Sequence, residues 1–181
     1  MTANRITILG KTFEKTITEQ EILGAVKKVA ERITADYSEK NPVFVIVLNG
    51  AFVFAADLLR HIAFPCEIAF TKLTSYAGLE STGNIIEQLP VSEDIEGRHV
   101  VIVEDIVETG YSMQFLKEVL ADKHPASVEI CAFSFKPEKL KVKDMKVKYV
   151  GMQLSDAFIV GYGLDYNSQG RQLRDIYSLV D

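Results

Sequence analysis

Hydrophobic positions along the chain follow two rhythms. After Thr18, the residues Ile22, Ala25, Val26, Val29, Ala30 and Ile33 recur at the spacing that lines one face of an α-helix. Thr18 and Glu21 stand at the separation of a capping box, in which each side chain satisfies a free backbone N–H at the helix start. The rhythm then changes to PVFVIVLNG, an unbroken apolar and β-branched run that stops at Asn49 and Gly50. AFVFAADLLRHI follows and reads as a second helix, which completes half of a βα unit. The order repeats with a strand near CEIAFTKL, a strand at HVVIVED, a helix from about Ser112 to Lys123 and a strand at VEICAFSF. Strands without polar alternation are buried on both faces, as in a parallel sheet covered by helices. The pattern therefore predicts an α/β fold, doubly wound, with a mainly parallel sheet flanked by helices.

Two stretches break that order. SYAGLESTGNIIEQ, from Ser75 to Gln88, is dominated by Gly, Ser and Thr and reads as a long loop or a hairpin; long loops in compact domains are often active-site lids. From Val147 to Asp181 the pieces KYVGMQL, FIVGYG and IYSLV are strand-like with no helix between them, which predicts a small β-rich hood. With no internal repeat, residues 1–181 are expected to form a single domain whose hood comes mainly from the C-terminal part.

Composition narrows the function classes. A net charge of −5 argues against nucleic-acid binding through a broad basic surface. No apolar run is long enough to span a bilayer, and MTANRITILGKTFEKT lacks the apolar stretch of a secretory signal, so a cytoplasmic protein without a membrane partner is expected. Cys66 and Cys131 lie among strand-forming residues, with no ligand-like spacing to His61, His99 or His124, and read as buried thiols of a reducing compartment. The Lys-rich stretch from Lys136 to Lys148 reads as a solvated connection, except that Lys136 falls at the carboxyl end of a strand.

The segment VVIVEDIVETGYS, Val100 to Ser112, concentrates the chemistry. Ligands of open α/β sheets bind at the carboxyl ends of strands, and VVIV leads into Glu104 and Asp105, which suit hydroxyls or a metal. Thr109, Gly110 and Ser112 then enter a helix, where free N–H groups and the helix dipole favour an anion such as phosphate. An acidic polyol or metal site beside a phosphate cradle describes a ribose 5-phosphate. The alternative reading of the same residues is a solvated acidic pair followed by an ordinary helix cap.

This run is similar to the phosphoribosyl-diphosphate motif of type I phosphoribosyltransferases. VLNGAFVFAADLL, LTSYAGLESTG, FSFKP and FIVGYGLDYNSQGRQL further resemble, in order, elements of the hypoxanthine-guanine phosphoribosyltransferase family. The resemblance implies transfer of a phosphoribosyl group to a 6-oxopurine, with Mg2+ as cofactor. It implies that Glu104 and Asp105 hold the ribose, and that Glu108, Thr109, Gly110, Tyr111 and Ser112 hold the 5-phosphate. It implies a purine site at Lys136, Phe158, Ile159 and Asp165, a pyrophosphate site at Asn49, Gly50 and Arg171, and a mobile loop carrying Ser75 and Tyr76. Asp165 is the implied magnesium ligand, with Glu104 and Asp105 as further candidates. A homodimer or homotetramer follows from the same resemblance. The competing function class is a non-catalytic or regulatory nucleotide-binding protein of the same fold.

Two positions depart from the family pattern. Glu108 stands where the family usually has Asp, the implied acid–base group for the purine's imidazole nitrogen; the extra methylene must be absorbed by the loop. Asn49 stands where many members have Lys, so a point charge is missing while an unusual backbone conformation beside Gly50 is still expected to meet pyrophosphate. The missing charge implies weaker pyrophosphate binding or a compensating subunit contact.

Overall fold

The apolar runs pair edge to edge in a computed structural model that describes residues 4–75 and 85–180. In chain order the elements are β1 (Arg5–Ile8), β2 (Lys11–Ile17), α1 (Glu19–Tyr37), β3 (Val43–Leu48), α2 (Phe52–Arg60), β4 (Glu67–Ser75) and β5 (Ile85–Leu89). They continue with β6 (His99–Val107), α3 (Tyr111–Ala121), β7 (Ser127–Phe135), β8 (Tyr149–Gln153), β9 (Ile159–Val160) and β10 (Ile176–Leu179). The main sheet has the order β5-β4-β3-β6-β7-β8 and is parallel except at the β4/β5 edge.

Burial explains the lack of alternation in β3 and β6. Phe44, Ile46, Val101 and Val103 face α1 and α2, in a cluster with Phe54, Leu58 and Ile33. Val43, Val45, Val100 and Ile102 face the opposite way, against Met113, Leu116 and Leu120 of α3. Helices therefore cover both faces, as the pattern predicts. None of the described helices is long and apolar enough to cross a membrane.

The hood departs from expectation in its origin. It is a sheet of order β1-β2-β10-β9, so two of its strands come from the N-terminal side and the hood is not mainly C-terminal. Phe13, Ile8, Val160 and Tyr177 fill its small core. KYVGMQL belongs elsewhere: as β8 it extends the main sheet parallel to β7, with Ala132 beside Val150. No α-helix joins β7 to β8, only a short 3-10 turn and the Lys-rich connection, which is why the strand lacks a βα signature. β4 and β5 pair antiparallel, Ser75 beside Ile85, so a hairpin brackets the Gly/Ser-rich stretch; Tyr76 and the rest of that stretch to residue 84 lie outside the described residues.

Helix α1 begins as its sequence dictates. The Glu21 N–H donates to Thr18 Oγ1 at 3.3 Å, and the Thr18 N–H donates to Glu21 Oε2 at 2.8 Å. A second tie crosses to the C-terminal part, where the Glu19 N–H donates to Asp175 Oδ1 at 2.8 Å. Thr18→Ala is expected to lower unfolding free energy by about 1 kcal/mol in urea titration, the usual worth of an N-cap side chain.

Candidate active site

Strand β6 runs on through the acidic pair to Val107 and does not stop before it. Glu104 and Asp105 are therefore strand residues, 8% and 9% exposed, and their carboxyl groups lie next to one another. Glu104 Oε1 accepts from the Asp105 N–H at 3.1 Å, and Asp105 Oδ1 accepts from the Ile106 N–H at 2.8 Å. The Ser134 hydroxyl fixes the Asp105 carbonyl from β7 at 3.0 Å. Burial, and then the adjacent Asp105 carboxylate, push the Glu104 carboxyl well above the usual carboxylate range. Ionised Glu104 thus costs stability as pH rises past that range, until a cation or a hydroxyl-rich ligand compensates it.

The turn after β6 forms a cavity of about 250 Å³ lined by Glu104, Ile106, Val107, Glu108, Thr109, Gly110, Ser112 and Met113. Gly110 caps α3 with φ 88°, a left-handed conformation natural to glycine. A Cβ there would also meet Leu140 and Met145 at 2.9 Å. The Thr109 carbonyl accepts from the Lys141 and Val142 N–H groups, which ties the Lys-rich connection to the turn. The leading N–H groups of a helix have no partner within it, so an anion fits this concavity. Tyr111 is exposed and does not line the cavity.

Beside the turn lies a buried cation. Lys136 is 2% exposed, and its Nζ donates to Glu108 Oε1 at 2.6 Å and to the Ala157 carbonyl at 2.9 Å. Lys139 Nζ approaches the same carboxylate oxygen at 3.7 Å and pairs with Asp156 at 2.5 Å. An ammonium so deeply placed needs acceptors, and Glu108 and a carbonyl supply them. Next in the chain, Phe158 leaves its ring 47% exposed, against Tyr166 and Phe13 at centroid distances of 5.9 and 6.4 Å. It is not a core aromatic. Ile159 is buried in β9 with its backbone at the hood edge.

A third group gathers around Gly50. The Leu48–Asn49 peptide is cis, at the place where the sequence implied unusual backbone, and the Asn49 side chain is exposed. A Cβ placed on Gly50 would lie 1.6 Å from Asp105 Oδ2, and one placed on Gly163 would lie 2.1 Å from the Gly50 carbonyl oxygen. Arg171 joins this group, donating to the Gly163 carbonyl at 2.6 Å and pairing with Asp165 Oδ1 at 2.6 Å. The other oxygen of Asp165 accepts from the Ser168 N–H at 2.7 Å. Among the described residues no three His, Cys, Asp or Glu side chains converge as a metal cage, so Glu104, Asp105 and Asp165 are not one cluster.

Residues 15–167 match the family model of the phosphoribosyl transferase domain. The hypoxanthine-guanine phosphoribosyltransferase of Aquifex aeolicus is 37% identical over 176 residues, covering 96% of this chain and 98% of that protein. The hypoxanthine-guanine-xanthine phosphoribosyltransferase of Tritrichomonas foetus is 37% identical over 155 residues, 86% of this chain and 85% of that protein. Among solved structures, a Bacillus anthracis hypoxanthine-guanine phosphoribosyltransferase with HEPES in its active site superposes with a TM-score of 0.88 at 38% identity, covering 92% of this chain and 98% of that one. The chain belongs to the hypoxanthine-guanine phosphoribosyltransferase family.

In this phosphoribosyltransferase several supporting residues carry no sequence signal. Gly163 and Tyr162 read as part of a strand-like piece, yet they form a turn against Gly50 and α2. Lys139 reads as one lysine among many, and only the fold sets it beside Glu108. Ser134 reads as a strand residue, and only the β6/β7 register brings it to Asp105. Gly50→Ala is expected to cost about 1–3 kcal/mol in urea unfolding, because Asp105 or the backbone must give way. Gly24→Ala is the contrast: on exposed α1, with nothing within 4 Å of a new Cβ, it is expected to stabilise by about 0.5–1 kcal/mol.

Proposed function

We propose that this protein serves purine salvage, transferring the 5-phosphoribosyl group of 5-phosphoribosyl 1-diphosphate to N9 of hypoxanthine or guanine. The products are IMP or GMP and pyrophosphate. The observation that carries the reading is a buried lysine beside a phosphate cradle: Lys136 Nζ at 2.6 Å from Glu108, whose turn leads straight into the α3 N-terminus. A buried ammonium is the donor that an exocyclic purine oxygen needs, and an exocyclic amine cannot accept from it in the same way. The exposed Phe158 ring is free to stack on the base, and the Ile159 backbone lies at hand for its edge.

The remaining roles follow from charge. The α3 turn, with the Thr109 and Ser112 hydroxyls, takes the 5-phosphate, and Glu104 and Asp105 take the ribose hydroxyls. Cleavage of the C1–O bond to pyrophosphate leaves positive charge on the ribose ring, which fixed carboxylates in a dry site stabilise. Arg171 and the backbone around Asn49 and Gly50 take pyrophosphate, a guanidinium fork matching phosphate oxygens. Mg2+ suits this donor set as a hard cation: Asp165 first, with Glu104 and Asp105 as further carboxylates, would hold it, and it would supply positive charge for the leaving group. Ser75 and Tyr76 belong to the loop that would close over the reaction centre. The organisation is one phosphoribosyltransferase domain acting in the cytoplasm, with no nucleic-acid or membrane partner.

Glu108 acts as general base, taking the proton from the purine's imidazole ring as the glycosidic bond forms. With purified protein, Mg2+, phosphoribosyl diphosphate and each purine base in turn, nucleotide is expected from hypoxanthine or guanine and not from adenine. No product from any 6-oxopurine would leave only nucleotide binding. Glu108→Gln is expected to lower kcat by about 10² to 10⁴-fold, with Glu108→Asp retaining most of it. Near-normal turnover by the Gln variant would refute the base role.

The protein is proposed to act as a homodimer or homotetramer. Ile68, Phe70, Ile86 and Leu89 are all exposed, and the β3/β4 and β4/β5 registers put them on one face, the one that α1 and α2 cover only farther along the sheet. Phe52 of α2 is exposed as well. A contiguous apolar face of this kind suits burial against a second copy. Phe70→Glu is expected to shift the species seen by sedimentation velocity to the monomer, and an unchanged oligomer would place the interface elsewhere.

A further inference from the structure

The turn that carries Arg171's anchor is built from three successive residues of positive φ: Gly161 at 102°, Tyr162 at 51° and Gly163 at 96°. Glycine takes such backbone freely; tyrosine does not. Something outside the turn must hold Tyr162 there, and the side chain shows what it is. Tyr162 is 3% exposed, its ring lies 4.9 Å from the Phe133 ring of β7, and its hydroxyl donates to Asp57 Oδ2 of α2 at 2.8 Å. Burial first, and the Asp57 carboxylate second, push the pKa of this hydroxyl far up, so it remains a donor at any working pH.

The next residue is the junction of the site. Gly163 touches the Gly50 carbonyl so closely that a Cβ there would sit 2.1 Å away. Its own carbonyl accepts from Arg171 at 2.6 Å, its N–H donates to the Arg171 carbonyl at 2.9 Å, and Arg171 in turn pairs with Asp165. Whatever fixes Tyr162 therefore fixes the spacing between Arg171 and the Gly50 backbone.

We propose that Asp57 and Tyr162 are positioning residues for the pyrophosphate half of the site. Their hydrogen bond locks the hood turn to α2, the helix that begins immediately after Gly50, so that Arg171 and the Gly50 backbone face the same diphosphate at a set distance. Neither residue touches the substrate. The inference rests on the proposed assignment of Arg171 and Gly50 to pyrophosphate, and it divides the two substrates: phosphoribosyl diphosphate should feel the loss of the lock, while the purine, held by Lys136 and Phe158, should not.

The test is steady-state kinetics of the full-length wild type, Tyr162→Phe, Asp57→Ala and Asp57→Asn with Mg2+, phosphoribosyl diphosphate and hypoxanthine. Removing either partner is expected to raise KM for phosphoribosyl diphosphate, and the inhibition constant of pyrophosphate in parallel, by about tenfold, with KM for hypoxanthine unchanged. Asp57→Asn keeps an acceptor and is expected to stay within about threefold of wild type. Wild type that forms no nucleotide would overturn the proposed reaction itself. Active wild type with variants whose two KM values are unchanged, or rise together, would overturn the positioning role and leave a merely structural bond. Should Tyr162→Phe fail to fold, Asp57→Ala, altered on the half-buried side of helix α2, gives the same readout.

Discussion

The structure turns on how closely three chain segments approach one another without side chains between them. Gly50 lies against the Asp105 carboxylate, and Gly163 lies against the Gly50 carbonyl, both closer than any Cβ would allow. These contacts bring the end of β3, the end of β6 and the hood turn to one point. Because β3 and β6 are neighbours in the parallel sheet, their carboxyl ends are already adjacent. The two glycines let the third segment, distant in sequence, close onto them. Asp105, Arg171 and Asp165 owe their common neighbourhood to that closure.

Around this point charge is balanced without ligands in two different ways. On one side Lys136, Glu108, Lys139 and Asp156 neutralise one another in a chain of pairs, so the buried ammonium has acceptors within the protein. A ligand oxygen reaching this ammonium would exchange with an acceptor already present, which costs less than creating a bare buried cation. On the other side Glu104 has no cation partner among the described residues, and its carboxyl is held well above the usual range by burial and by Asp105. That imbalance is what a ligand carrying hydroxyls or a metal would correct. The site is thus preorganised where positive charge is stored and strained where negative charge is stored.

Most of the framework was legible from residue patterns because burial dictates them. The capping box at Thr18, the two-faced apolar runs of β3 and β6, and the Thr-Gly turn into α3 each follow from local rules, and each is present. The errors share a cause. The sequence pattern puts KYVGMQL in the hood because no α-helix precedes it, yet a parallel strand needs only a crossover, and here the Lys-rich connection provides it. RITI and KTFEKTI carry no strand signal because they mix charges with short apolar spacing, and only the pairing of β1 with β2 and of β2 with β10 makes them strands.

The sequence by itself determined that a strand end, two carboxylates and a helix N-terminus, groups with the chemistry to hold a ribose phosphate, come together between Val100 and Ser112, because all are encoded within consecutive residues. Through family resemblance it also pointed to Lys136, Phe158 and Arg171. Only the tertiary structure decided that Lys136 is buried against Glu108, that Phe158 stays exposed, and that Arg171 is anchored through Gly163 to a turn that Tyr162 holds against α2. The physical reason is range. Capping, periodicity and turn chemistry act within a few residues, whereas burial of Lys136 needs Glu108 and Ala157 from other segments, and the closure of Gly163 on Gly50 needs segments more than a hundred residues apart to meet in space.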